Sequence, residues 1–122
     1  MYAAKSEGRD TFRVYRESMN ESSEYKLAME RGLRHALQEN QFVVHYQPQI
    51  NLTTGRMAGV EALVRWNHPE RGLLLPGEFL PLAEETGVVV EIDEWVLETA
   101  ARQLVAWHAA GNTYMTMAVN LS

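Results

Sequence analysis

Glu61 is the residue in this 122-residue chain whose chemistry packing explains least. It interrupts an apolar run, Val60-Glu61-Ala62-Leu63-Val64. A buried, isolated carboxylate is costly, so it must be paired, protonated or bound to a cation. In an extended chain alternate side chains share a face, which groups Glu61, Leu63 and Arg65. Glu61 and Arg65 then lie about 13 Å apart along the strand, too far for a direct ion pair. A ligand carrying both a metal and a phosphate suits that spacing. A structural glutamate paired with a base on another strand is the competing explanation.

Asn120 ends the last strand-like stretch, where α/β proteins place functional groups at the carboxyl edge. Its amide oxygen can ligate a hard cation such as Mg²⁺, although an Asn that caps a following helix is the plainer reading. Gln47, just before Pro48, either hydrogen-bonds a ligand or finishes a sheet edge. His45 reads as a satisfied core histidine rather than a ligand. His35, His68 and His108 have no metal-site spacing. Trp66, Trp95 and Trp107 read as core. No Gly-rich phosphate loop, nucleophile elbow or Walker pattern is present.

The elements that must hold these residues follow from periodicity. Thr11-Phe12-Arg13-Val14-Tyr15 alternates like a strand, at the detached end of something upstream. Ser18 with Glu21 fits a capping box. Tyr25, Met29, Leu33, Ala36 and Leu37 then recur at helical spacing, predicting a connecting helix from about 18–24 to Asn40. Residues 42–50 read as one strand and residues 57–66 as a second. The short connection between them permits only an antiparallel hairpin. The second strand is apolar enough for burial on both faces. Residues 67–75 read as a loop. A short helix spans 76–86, closed by Gly87 and weakened by Pro81. The clearest helix runs from Glu91 to Ala110, with Ile92, Trp95, Val96, Ala100, Leu104 and Trp107 as its stripe. Residues 114–121 form a strand reached through helices, hence parallel to the second. This is the opening of an α/β fold, and three strands with one long helix leave its sheet open.

Composition narrows the function. The net charge of −5, from 16 acids and 11 bases, argues against duplex nucleic acid, which needs clustered Lys and Arg. Seven acids between Glu78 and Glu98, with no intervening base, read as solvated helix faces. With no Cys, disulfides and thiolate metal sites are excluded. No signal-peptide h-region or membrane-length apolar run is present, so a cytoplasmic, soluble setting is expected.

Four stretches in order then resemble the EAL family. They are Phe42 to Gln49 (FVVHYQPQ), Gly59 to Trp66 (GVEALVRW), Pro76 to Glu84 (PGEFLPLAE) and Val119 to Ser122 (VNLS). Glu61-Ala62-Leu63 is the signature itself. Residues 1–10 resemble the end of a GGDEF diguanylate cyclase domain. The resemblance implies residues 1–16 as a GGDEF-like tail, 17–24 as a linker into the connecting helix, and 25–122 as the N-terminal part of an EAL domain. The implied fold is a truncated TIM-like (β/α)8 barrel with an antiparallel first strand. The implied chemistry is hydrolysis of cyclic di-GMP to pGpG with Mg²⁺ or Mn²⁺. Glu61 would be the catalytic metal ligand and Asn120 a second metal ligand. Gln47 and Arg65 would contact substrate, and Leu63 would line the base or sugar pocket. Further acidic ligands are expected beyond Ser122, so the chain alone is expected to be inactive. A silent EAL domain that senses cyclic di-GMP is the alternative. Implied partners are the upstream GGDEF domain and a second EAL domain in a homodimer.

Overall fold

The computed structural model describes residues 9–121, with side chains from residue 23 onward. In chain order its elements are α1 (Arg9–Gln38), β1 (Phe42–Ile50), β2 (Met57–His68), β3 (Gly72–Leu74), α2 (Pro76–Thr86), α3 (Val89–Ala109) and β4 (Met117–Val119).

The N-terminal expectations change most. Residues 11–15 are helical, not a strand, and Ser18 and Glu21 lie inside α1 rather than at its cap. Residues 17–24, expected as a linker, belong to the same helix. Alternation over five residues was too short a signal against a helix that runs on into packed residues. The part of the GGDEF-like resemblance that falls on residues 1–8 lies outside the described residues. Helix α1 ends at Gln38, and Asn40 follows with φ 55°. Asn tolerates that left-handed turn, and the Gln41 N–H reaches back to the Ala36 carbonyl at 3.0 Å.

The sheet is built around β2. Strand β1 pairs with it antiparallel, with Phe42 opposite Trp66 and Gln47 opposite Glu61. Strand β4 pairs with it parallel, placing Ala118 beside Glu61. Both relationships agree with the expected hairpin and crossover. The expected loop over 67–75 contains a further short strand, since Gly72–Leu74 folds back antiparallel onto Trp66–His68. The His68 Nδ1 accepts the Glu70 and Arg71 N–H groups at 3.1 and 3.2 Å and so holds that tight turn.

One face of the sheet carries the core. Met29, Leu33 and Ala36 of α1 are buried with Phe42, Trp66, Phe79, Ala83, Ile92 and Val96. The alternating side chains of β2 explain why: Val60, Ala62 and Trp66 face this core. Phe42 sits among the rings of Trp66, Phe79 and Trp95 at centroid distances of 5.8, 5.7 and 6.1 Å. The Trp66 indole is fully buried, and its N–H is satisfied by Gln41 Oε1 at 3.1 Å. Gly32 lets α1 approach closely, because a Cβ there would lie 3.1 Å from the Trp66 ring.

Helix α2 continues through Pro81, and Gly87 closes it at φ 84°. Its first turn is tied by Glu78, whose carboxylate accepts the Leu75 N–H at 2.8 Å. Helix α3 begins two residues earlier than its periodicity suggested, and Ile92, Val96 and Ala100 form its buried stripe. The acids from Glu78 to Glu98 are exposed except Asp93, which is half-buried; Glu85 pairs with Lys26 of α1 at 2.7 Å. Among the described residues no helix is long and apolar enough to cross a membrane.

Candidate active site

The second face of β2 carries the chemistry. Glu61, Leu63 and Arg65 are half-buried on it, while their neighbours Val60, Ala62 and Trp66 are buried on the other. Strand register then decides their company. Gln47 stands opposite Glu61, His45 opposite Leu63 and Val43 opposite Arg65. Directly opposed residues of an antiparallel pair have Cβ atoms about 4.5–5.5 Å apart. The Gln47 amide therefore lies within reach of whatever the Glu61 carboxylate holds.

Strand β4 brings in Asn120 from 59 positions away. Its Nδ2–H donates to Glu61 Oε2 at 2.7 Å. This arrangement depends on Gly59, over which the backbone of Thr116 passes. The Val60 N–H donates to the Thr116 carbonyl at 3.0 Å, and the Thr116 hydroxyl donates to the Ala58 carbonyl at 3.1 Å. A Cβ at residue 59 would lie 2.7 Å from that Thr116 carbonyl oxygen.

The competing explanations of Glu61 can now be separated. Its partner among the described residues is the Asn120 amide, not a base on a neighbouring strand. Asn120 serves the carboxylate of another strand through its NH₂ group, which leaves its amide oxygen free to accept or ligate. Arg65 turns Nη1 onto the Val64 carbonyl at 2.9 Å and makes no ion pair among the described residues. Most of its five N–H donors remain available for an anionic ligand.

The site residues expected from sequence thus form two ends of one surface. Glu61 and Asn120 meet at one end with Gln47 opposite Glu61, Leu63 lies in the middle and Arg65 at the other end. Glu61 and Asn120 offer two hard oxygen donors, a chemistry that fits Mg²⁺ or Mn²⁺. Among the described residues no group of three or more His, Cys, Asp or Glu side chains gathers there. On this surface the residue that departs from its expected core setting is His45. It is exposed on the same face and has no hydrogen-bond or ion-pair partner among the described residues. The signal was available, because His45 is two residues before Gln47 and strand side chains repeat every two residues.

The fold and this surface define a class. Residues 30–122 match the family described as EAL domain, so the chain belongs to the EAL-domain family. It is 48% identical over 122 residues to the bifunctional diguanylate cyclase/cyclic di-GMP phosphodiesterase MucR of Pseudomonas aeruginosa, covering all of this chain and 18% of that protein. It is 42% identical over 122 residues to the cyclic di-GMP phosphodiesterase PdeR of Escherichia coli, again covering all of this chain and 18% of that protein. Its structure superposes on the PaMucR phosphodiesterase in its c-di-GMP complex with a TM-score of 0.76 and 52% identity. That match covers 78% of this chain and 38% of the solved one. The fold is accordingly that of EAL domains, a TIM-like barrel, of which these residues supply the opening strands and helices, beginning with the antiparallel strand β1.

Proposed function

We propose that these residues form the opening section of a cyclic di-GMP phosphodiesterase domain, which hydrolyses its substrate to pGpG in a protein extending beyond this chain as its relatives do. The observation that carries this reading is the Glu61–Asn120 contact at 2.7 Å, with Gln47 opposite and Arg65 on the same face.

Each side chain has a task that its position supports. Glu61 and Asn120 would hold Mg²⁺ or Mn²⁺ through oxygen. A cation bound there supplies charge to offset the phosphodiester and to lower the pKa of a water. Gln47, beside Glu61, orients the substrate by hydrogen bonding. Arg65, at the other end of the face, offers a planar fork to a phosphate oxygen. Leu63 between them presents an apolar surface to base or sugar. Two oxygen donors do not complete a hard-cation shell, so further ligands come from the rest of the domain or from water.

The N-terminal residues carry a second part of the proposal. Residues 1–16 would be the tail of a GGDEF domain, and α1 would run from it into the EAL domain. A match that takes in residues 1–16 along with the rest of this chain, over 18% of a relative named as both cyclase and phosphodiesterase, supports this.

The test is Glu61→Gln in the complete protein, followed by chromatographic detection of pGpG. Wild-type turnover with loss of at least about 100-fold in the variant, ~2.7 kcal/mol, is the expected result. A wild-type protein that binds cyclic di-GMP without hydrolysing it would establish a sensor instead.

A further inference from the structure

We infer that His45 is a ligand-contacting residue, touching the nucleoside portion of the dinucleotide between the Glu61 end of the site and the Arg65 phosphate clamp. This rests on the function proposed above and adds a residue to it.

The placement comes from register. Three cross-strand pairs succeed one another on the open face: Gln47 with Glu61, His45 with Leu63, and Val43 with Arg65. His45 is therefore the diagonal neighbour of both Glu61 and Arg65, about 7–8 Å from each. A dinucleotide that spans from the carboxylate to the guanidinium must cross the His45–Leu63 row. Leu63 gives that row an apolar wall, and His45 is its polar member.

Among the described residues nothing gives it a structural task. A neutral imidazole carries one donor and one acceptor. Two of the other three histidines use theirs: His68 accepts two backbone N–H groups, and His108 contacts the Met115 carbonyl at 2.7 Å; His35, on the exposed side of α1, only approaches Glu39 at 3.6 Å. His45 is exposed, with no such partner among the described residues and Val43 two positions away on the same face. An imidazole in that position can donate to a ribose hydroxyl or to a purine acceptor, while Leu63 packs against the base.

Calorimetry on the complete protein tests this with cyclic di-GMP and, separately, with Mn²⁺ alone. His45→Leu should weaken cyclic di-GMP binding by about tenfold or more, equivalent to ~1.4 kcal/mol. His45→Gln, which keeps a donor and an acceptor, should recover a large part of that loss. Mn²⁺ affinity should be the same in all three proteins. Cyclic di-GMP binding by His45→Leu within about twofold of wild type, ~0.4 kcal/mol, overturns the inference. So does a parallel loss of Mn²⁺ binding, which would mark a structural role. Failure of the wild type itself to bind cyclic di-GMP defeats the functional proposal and the inference together, and is distinct from an unaltered variant of a binding-competent protein.

Discussion

Gly59→Ala should disturb the site without touching any of its polar groups. The added Cβ would lie 2.7 Å from the Thr116 carbonyl oxygen and clash more severely with the Thr116 hydroxyl. The hydroxyl can rotate away, at the loss of its hydrogen bond to the Ala58 carbonyl. The carbonyl cannot rotate, because it accepts the Val60 N–H and anchors the parallel pairing of β4 with β2. Relief requires β4 to retreat by about 0.7 Å or more to reach ordinary van der Waals contact. Overpacking of this kind costs about 1–3 kcal/mol, and the lost hydroxyl bond adds about 1 kcal/mol. A destabilisation of about 2–4 kcal/mol is expected in urea unfolding, read as a lower midpoint at unchanged slope. Asn120 travels with β4, so its 2.7 Å contact with Glu61 should lengthen. The metal affinity of Gly59→Ala should then fall even under conditions where the variant is fully folded. Gly77→Ala is the control: nothing lies within 4 Å of a Cβ there, and the residue sits in the first turn of α2. It should be neutral or slightly stabilising. A Gly59→Ala protein within about 0.5 kcal/mol of wild type, the range of an ordinary surface change, with unchanged metal affinity, would refute the argument.

Other perturbations draw on the same geometry. Arg65→Ala should weaken cyclic di-GMP binding more than Mn²⁺ binding, because Arg65 sits about 13 Å along the strand from Glu61; calorimetry with each ligand separates the two, and a loss confined to the metal would contradict the assignment. Trp66→Ala should cost about 3–5 kcal/mol in chemical unfolding, since the side chain is fully buried between α1 and α2 and its deletion leaves a cavity. Burial raises the Tyr46 phenol above its usual range, and its ring meets Trp107 edge-on at 5.1 Å. Its contribution to stability should be fully present below the unfolded pKa near 10 and be lost as pH rises through the higher folded value; a urea midpoint that is flat through this alkaline range, or that falls equally in Tyr46→Phe, would contradict it. Lys26→Ala should change stability by no more than about 1 kcal/mol, because the Lys26–Glu85 pair is exposed on both sides.

The sequence by itself determined the local elements wherever side-chain pattern and punctuation agreed. Strand β1 runs over residues 42–50 and α2 over 76–86, as read from their composition and from Gly87. The antiparallel hairpin came from a connection too short for anything else. The sharing of one face by Glu61, Leu63 and Arg65 came from a period of two. Alternation failed at residues 11–15, where five residues carry too little signal to resist the propagation of a long helix. It also missed β3, three residues whose only reason to be a strand is the edge of β2 beside them. Tertiary structure alone decided what Glu61 meets. A strand's sequence states which side chains face the same way, but not which strand lies next to it or in what register. The parallel pairing of β4 delivers Asn120 to the carboxylate, and the register of β1 puts Gln47 opposite it. The register also decides that His45 stands opposite Leu63, whereas its place on the face of Gln47 follows from the period of two alone. Such contacts join residues far apart in the chain, and their geometry is set by backbone hydrogen bonds and by the space at Gly59, neither of which is written in the residues that use them.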